Sequence, residues 1–172
     1  MDNPPIQVAR ISWEQRAIAE LRDAIGKRVQ IAPLSGMGGM NRKAPAEWNL
    51  TPKQQFQFGD LRYENRSTRV VVEVESAGGL TNLVKYWPMI PADLSDKRFF
   101  LAHLFQLNSK ADYIAHRRLW TFVVDQMRAD LANRDFPWGD RWEAQMFTYG
   151  HATAATGMGQ AADYVASKLS MP

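Results

Sequence analysis

An α/β fold, with a mixed central sheet flanked by helices, is the class this chain predicts. Three observations point to it. The run RVVVEVESAGG, residues 69–79, gathers the branched side chains of Val70, Val71, Val72 and Val74, which favour a strand. The run RFFLAHLFQL, residues 98–107, is apolar on both faces, as a central strand would be. Around these runs lie segments whose apolar residues recur at helical spacing, among them Leu80, Leu83, Val84 and Trp87. Strands alternating with helices build a sheet covered by helices.

The elements follow in order. Residues 1–10 read as an extended tail carrying Pro4 and Pro5. Ser12 opens a helix, with Gln15 at the spacing of a capping box. Trp13, Ala17, Leu21, Ala24 and Ile25 give that helix an apolar face, and it ends near residue 28. VQIAPL, 29–34, reads as a short strand and SGMGGMNRKAPAEW, 35–48, as a loop. Residues 55–76 predict a meander of two or three antiparallel strands. Gln55 to Phe58 alternates, Leu61 and Tyr63 alternate with Arg62 and Glu64, and ENRST turns the chain into the valine strand. The Leu80–Trp87 stripe predicts a short helix stopped by Pro88. After the apolar strand, Ser109 caps a helix to about residue 132, with Trp120, Val124, Met127 and Leu131 on its core side. RWEAQMFTYG, 141–150, alternates as a last strand, and GQAADYVASKLS, 159–170, closes the chain as a helix.

At 172 residues the chain suits one domain, 1–172. Apolar residues at 45% and charged residues at 23% are ordinary for a globular protein. No run approaches the roughly 18 apolar residues needed to cross a bilayer, so no membrane is expected as a partner. MDNPPIQVAR lacks the basic start and apolar core of a secretory signal. There is no cysteine, which removes disulfides, thiolate metal sites and cysteine nucleophiles together. A cytoplasmic location is the expectation. The net charge of +3 permits a polyanionic partner without demanding one. Arg62, Arg66, Arg69, Arg117 and Arg118 are the candidate phosphate contacts, read against scattered solvated charge.

The valine strand poses the functional question. Side chains alternate across a strand, so Glu73 and Glu75 share a face with Val71, while Val70, Val72 and Val74 take the other. The two carboxylates are rooted about 7 Å apart, and their tips can converge. If residues 61–64 pair with 70–75, Asp60 lies beside them. Crowded carboxylates repel, which raises their pKa values unless a cation binds. Magnesium takes a few oxygen ligands, often one or two carboxylates, and keeps several waters. The bland reading is an amphipathic strand whose glutamates face water.

Gly59-Asp60, twelve intervening residues, then Glu73-Val74-Glu75 and a following helix resemble the PD-(D/E)XK nuclease superfamily. The flanking elements resemble its αβββαβ core over about residues 12–107, with 108–172 as C-terminal additions. The resemblance implies a restriction-endonuclease-like fold and a nuclease that cleaves phosphodiester bonds in DNA with Mg2+ or Mn2+. Asp60 and Glu73 would hold the metal, with the Val74 carbonyl as a further ligand. The superfamily's usual lysine falls at position 75, where this chain has Glu75. Some restriction enzymes of the superfamily carry the same Glu-any-Glu form. Several branches move the basic residue to the next helix, where Lys85 stands. Asp60, Glu73, Glu75 and Lys85 are thus the candidate catalytic residues. The alternatives are an inactive nuclease-fold protein serving as a binding or assembly module, and an unrelated α/β domain.

Other residues read more blandly. Glu20, on the helix that in this superfamily sometimes adds an acid, reads as solvated. His103 reads as a hydrogen-bonded core histidine, while His116 stands beside the Arg117–Arg118 pair as either a phosphate contact or an exposed residue. With His151 they are too dispersed for a zinc site. SGMGGM and TGMGQ lack the Gly-Lys-Ser/Thr ending of a phosphate loop and read as flexible loops. Trp13, Trp87 and Trp120 read as core, and Trp138 and Trp142 as an exposed surface or a homodimer contact.

Overall fold

The computed structural model of the chain describes residues 12–34, 41–43, 55–75, 80–93, 97–106, 110–134, 141–150 and 154–172. The expected tail, the SGMGGM loop, the Ser109 cap, Trp138 and His151 lie outside them. The helix α1 (Trp13–Gly26) starts on the predicted capping box, with Ser12 and Gln15 bonded to each other's backbone amides at 3.1 Å. Two short strands follow, β1 (Asn41–Lys43) and β2 (Gln55–Gln57), then β3 (Leu61–Glu64) and β4 (Thr68–Glu75). The short helix α2 (Thr81–Val84) runs into α3 (Tyr86–Asp93), which leads to β5 (Arg98–Gln106). The long helix α4 (Lys110–Asn133), β6 (Trp142–Tyr149) and α5 (Ala154–Leu169) complete the order.

The main sheet has the order β3-β4-β5-β6. β3 and β4 are antiparallel, with Leu61 opposite Val72 and Glu64 opposite Arg69. β4, β5 and β6 are parallel, so their C-terminal ends share one edge. The sheet is therefore mixed, as expected. It holds two strands of the predicted meander, because β2 pairs instead with β1 in a separate two-stranded sheet. β1 falls within the segment read as loop. Residues 29–34 form no strand and give the sheet one backbone bond, from the Leu34 amide to the Arg62 carbonyl at 2.9 Å.

The alternation of β4 divides the core into two layers. Val70, Val72 and Val74 pack with Ala17, Leu21 and Ile25 of α1 and with Ala161, Val165 and Leu169 of α5. Val71 faces the other way, onto Leu83, Tyr86, Met89 and Ile90 and onto Trp120, Val124, Met127 and Leu131 of α4. β5 is buried on both faces, consistent with its central place.

Four readings change. Pro88 does not stop the helix: it sits in the first turn of α3, where an amide has no helical acceptor to lose. TGMGQ is not a loop but the first half of α5. A Cβ at Gly157 would overlap the Thr148 carbonyl oxygen, so the glycine serves the close approach of α5 to β6. Trp13 is exposed under the Arg16 guanidinium, 4.8 Å from its ring, whereas Trp142 is buried against the sheet rather than exposed.

At the far end of β3 and β4 an ionic cluster takes up two of the expected phosphate contacts, Arg62 and Arg69. Arg62, Arg69 and Lys97 all engage Glu64. Arg69 is 3% exposed, so it and Arg62 serve this fold contact and are not presented to a phosphate. Burial pushes the Glu64 carboxyl up, but the three cationic donors outweigh it and hold it down to about 2. The stability this adds is complete above the ordinary value of 4.5 and is lost as pH falls towards 2. Glu64→Gln is expected to cost about 1–2 kcal/mol at pH 7 after allowing for screening. In urea melts that penalty should shrink steadily between about pH 4.5 and 2.

Candidate functional site

The parallel strands β4, β5 and β6 place Glu75, Gln106 and Tyr149 at one edge of the sheet. Crevices at the carboxyl ends of such strands are the usual ligand sites of open α/β sheets. Asp60 arrives there from the neighbouring strand, because its amide donates to the Val72 carbonyl at 2.7 Å and extends the β3–β4 pairing by one residue. Gly59, just before it, turns the chain with φ +78. A Cβ there would strike the Val71 side chain, so only glycine allows the turn this close to the sheet.

Glu73 is the buried centre of the site. Its Oε1 accepts from the Gly59 amide at 2.7 Å and from the Tyr86 hydroxyl, and stands 2.7 Å from Lys85 Nζ. The Glu73 and Lys85 side chains are 4% and 10% exposed, so the pair is largely shielded from water. Asp60 Oδ2 accepts from the Val74 amide at 2.8 Å. Each acid is thus anchored through one named oxygen, Asp60 through Oδ2 and Glu73 through Oε1.

The electrostatics record the crowding. Burial first, then the charge of Glu73, pushes the Asp60 carboxyl up to about 7, with Glu14 adding to the rise. The Val74 amide and Lys85 only partly offset it. Burial and Glu73 push the Tyr86 hydroxyl well above its ordinary range, so it remains a donor. Burial raises Tyr149 as well, followed by the charges of Glu14, Glu75 and Asp60. The Tyr149 hydroxyl donates to the Glu75 carbonyl at 3.1 Å, tying β6 to the end of β4.

Glu75 takes a bond from the Asn82 side-chain amide, and Asn82 Oδ1 accepts from Lys85 at 3.0 Å. Asn82 therefore bridges Glu75 and the Glu73–Lys85 pair. His103 is buried beside them. Trp120 Nε1 donates to its Nδ1 at 3.4 Å, and its Nε2 lies 3.6 Å from Glu75 Oε1, beyond hydrogen-bond length.

The structure brings together Asp60, Glu73, Glu75 and Lys85. Comparison with known protein families, curated proteins and solved structures finds no match. Arg66 lies in the turn at the opposite end of β4 from Glu75. Arg117 and Arg118 are exposed on the first half of α4, whose His116 ring is 6.1 Å from that of Phe105 near the end of β5. Glu20 is exposed; the acid of α1 that acts on Asp60 is Glu14. Glu14, Asn82, Tyr86 and Tyr149 were missed by sequence reasoning. Of these, Tyr86 had a signal: Leu83, Tyr86, Met89 and Ile90 fall at helical spacing, and all four are buried.

Proposed function

We propose that this protein is a divalent-metal-dependent nuclease that hydrolyses phosphodiester bonds in DNA, and that it works in the cytoplasm. The observation that carries the reading is the Asp60–Glu73–Lys85 grouping. Two adjacent carboxylates, one pushed up to about 7, share the end of the sheet with a largely buried ammonium. Among the described residues no three His, Asp or Glu side chains form a ready metal cage. Two carboxylates with water suit magnesium or manganese, which need no protein cage. Asp60 and Glu73 would hold the cation, with the Val74 carbonyl as a further ligand. When bound, the cation lowers the pKa of a water and neutralises charge on the phosphoryl oxygen. Lys85 orients the attacking water beside Glu73. Glu75, held by Asn82, accepts its proton. Arg117, which lines a cavity of about 280 Å³ between α4 and β6, contacts the DNA backbone.

One observation favours a second reading, an inactive nuclease-fold binding or assembly module. Glu73 is already satisfied by Lys85, Tyr86 and Gly59 without a metal. Calorimetry with Mg2+ and Mn2+, beside plasmid and single-strand cleavage, separates the two, with Asp60→Ala as control. Binding and cleavage that both vanish in Asp60→Ala are expected. Metal binding without cleavage supports the assembly module, and neither would sink both readings.

A further inference from the structure

The helix α4 has two apolar faces, and one has no use in the fold described so far. Trp120, Val124, Met127 and Leu131 fill the core. On the outer side Ile114 is 44%, Leu119 54% and Phe122 59% exposed. These are half of the exposed large hydrophobics among the described residues, gathered within nine positions of one helix. Ile114, Arg118 and Phe122 form one i, i+4 ridge, with Leu119 beside it. A single exposed apolar side chain is ordinary, but a contiguous group marks an interaction surface.

Charge identifies the occupant. Arg118 and Asp125, both exposed, stand seven residues apart on the same stripe, on either side of Phe122. In an antiparallel pair of identical helices, Leu119 meets the partner's Phe122 and Phe122 meets the partner's Leu119. Arg118 then comes within a turn of the partner's Asp125, and the partner's Arg118 within a turn of Asp125. The face is complementary to itself under a two-fold axis, as an isologous dimer requires. A parallel pair would set Arg118 against Arg118. Asp125 does touch Arg128 of its own helix at 3.8 Å, but both are more than half exposed and such a pair holds weakly. The acid in the stripe also disfavours an anionic lipid surface.

We propose that the outer face of α4 is a homodimer interface, two copies pairing antiparallel through Leu119 and Phe122 with reciprocal Arg118–Asp125 ion pairs at its ends. A single pair of 24-residue helices buries less than the roughly 800 Å² per partner of a standard interface, so the affinity lies in the micromolar range. The inference stands apart from the nuclease reading and needs no activity to test it.

Sedimentation velocity over about 1–200 µM should show a monomer passing to a dimer. Phe122→Glu should remain a monomer throughout with an unchanged circular dichroism spectrum. Arg118→Asp and Asp125→Arg should each weaken the dimer about tenfold or more, and the double variant Arg118→Asp/Asp125→Arg should recover most of the loss. A wild type that stays monomeric, a dimer that survives Phe122→Glu, or a double variant no better than the single ones would overturn the proposal.

Discussion

Asp60→Asn is expected to stabilise the folded protein above pH 7 and, if Asp60 holds the proposed divalent cation, to abolish that binding. The folded-state carboxyl sits at about 7, against an ordinary 3.8. Between those values the unfolded chain has released its proton and the folded chain still holds it. Stability therefore falls as pH rises through that window and is lowest once Asp60 is charged in both states. The shift corresponds to about 4 kcal/mol as an upper bound, and about 2–3 kcal/mol after allowing for the partial exposure of the group. Asparagine removes the charge and keeps a carbonyl oxygen to accept from the Val74 amide, which Asp60 holds at 2.8 Å. For a chain of this size the gain should raise Tm by about 5–10 °C at pH 8. Near pH 4 the advantage should largely disappear, because the aspartate is then protonated when folded and roughly half protonated when unfolded. A variant less stable than wild type at pH 8, or one whose advantage persists in full at pH 4, would contradict the electrostatic account. Asp60→Asn thus measures what the buried charge costs the fold, apart from any cation it holds.

How much of this was legible depended on how local the determining contacts are. The alternation in β4 is local, so the division of Val70, Val72 and Val74 from Val71, Glu73 and Glu75 could be read directly and matches the two core layers. The β3–β4 pairing was legible too, because ENRST leaves little choice of register. The place of Lys85 was not. The sequence suggests one stripe through Leu80, Leu83, Val84 and Trp87, but the buried stripe runs through Leu83, Tyr86, Met89 and Ile90, across the passage from α2 to α3. Val84 turns out to water, Tyr86 turns in, and Lys85 is brought against Glu73. His103 and Tyr149 reach the site through the parallel pairings of β4 with β5 and β5 with β6. Nothing local sets such registers, because helices intervene. Arg69 was misread for a related reason: its cross-strand partner is Glu64, and that pairing turns an apparent surface cation into a buried one.

Lys85→Ala is expected to cost about 3–5 kcal/mol, since it leaves a nearly buried carboxylate without its cation. Glu73→Ala should cost a similar amount by the opposite route. It strands the ammonium and removes the acceptor of the Gly59 amide and the Tyr86 hydroxyl. Because the side chains meet at 2.7 Å, the double variant should cost about 2–3 kcal/mol less than the sum of the single losses. Urea melts of the four proteins give that coupling directly, and additivity within about 0.5 kcal/mol would mean the pair is no functional unit. The same variants test whether the site holds a metal at all. If a divalent cation binds Asp60 and Glu73, it takes over the role of Lys85 in compensating Glu73. Saturating Mg2+ should then stabilise Lys85→Ala more than it stabilises wild type, by ligand linkage. It should leave the Glu73→Ala melt unmoved. If no metal binds, Lys85 is the cation that compensates the carboxylate, and Mg2+ should shift none of the melts, which would sink both readings. A protein whose Lys85→Ala variant is no more responsive to Mg2+ than wild type has an ion pair built for the fold, not for phosphodiester chemistry.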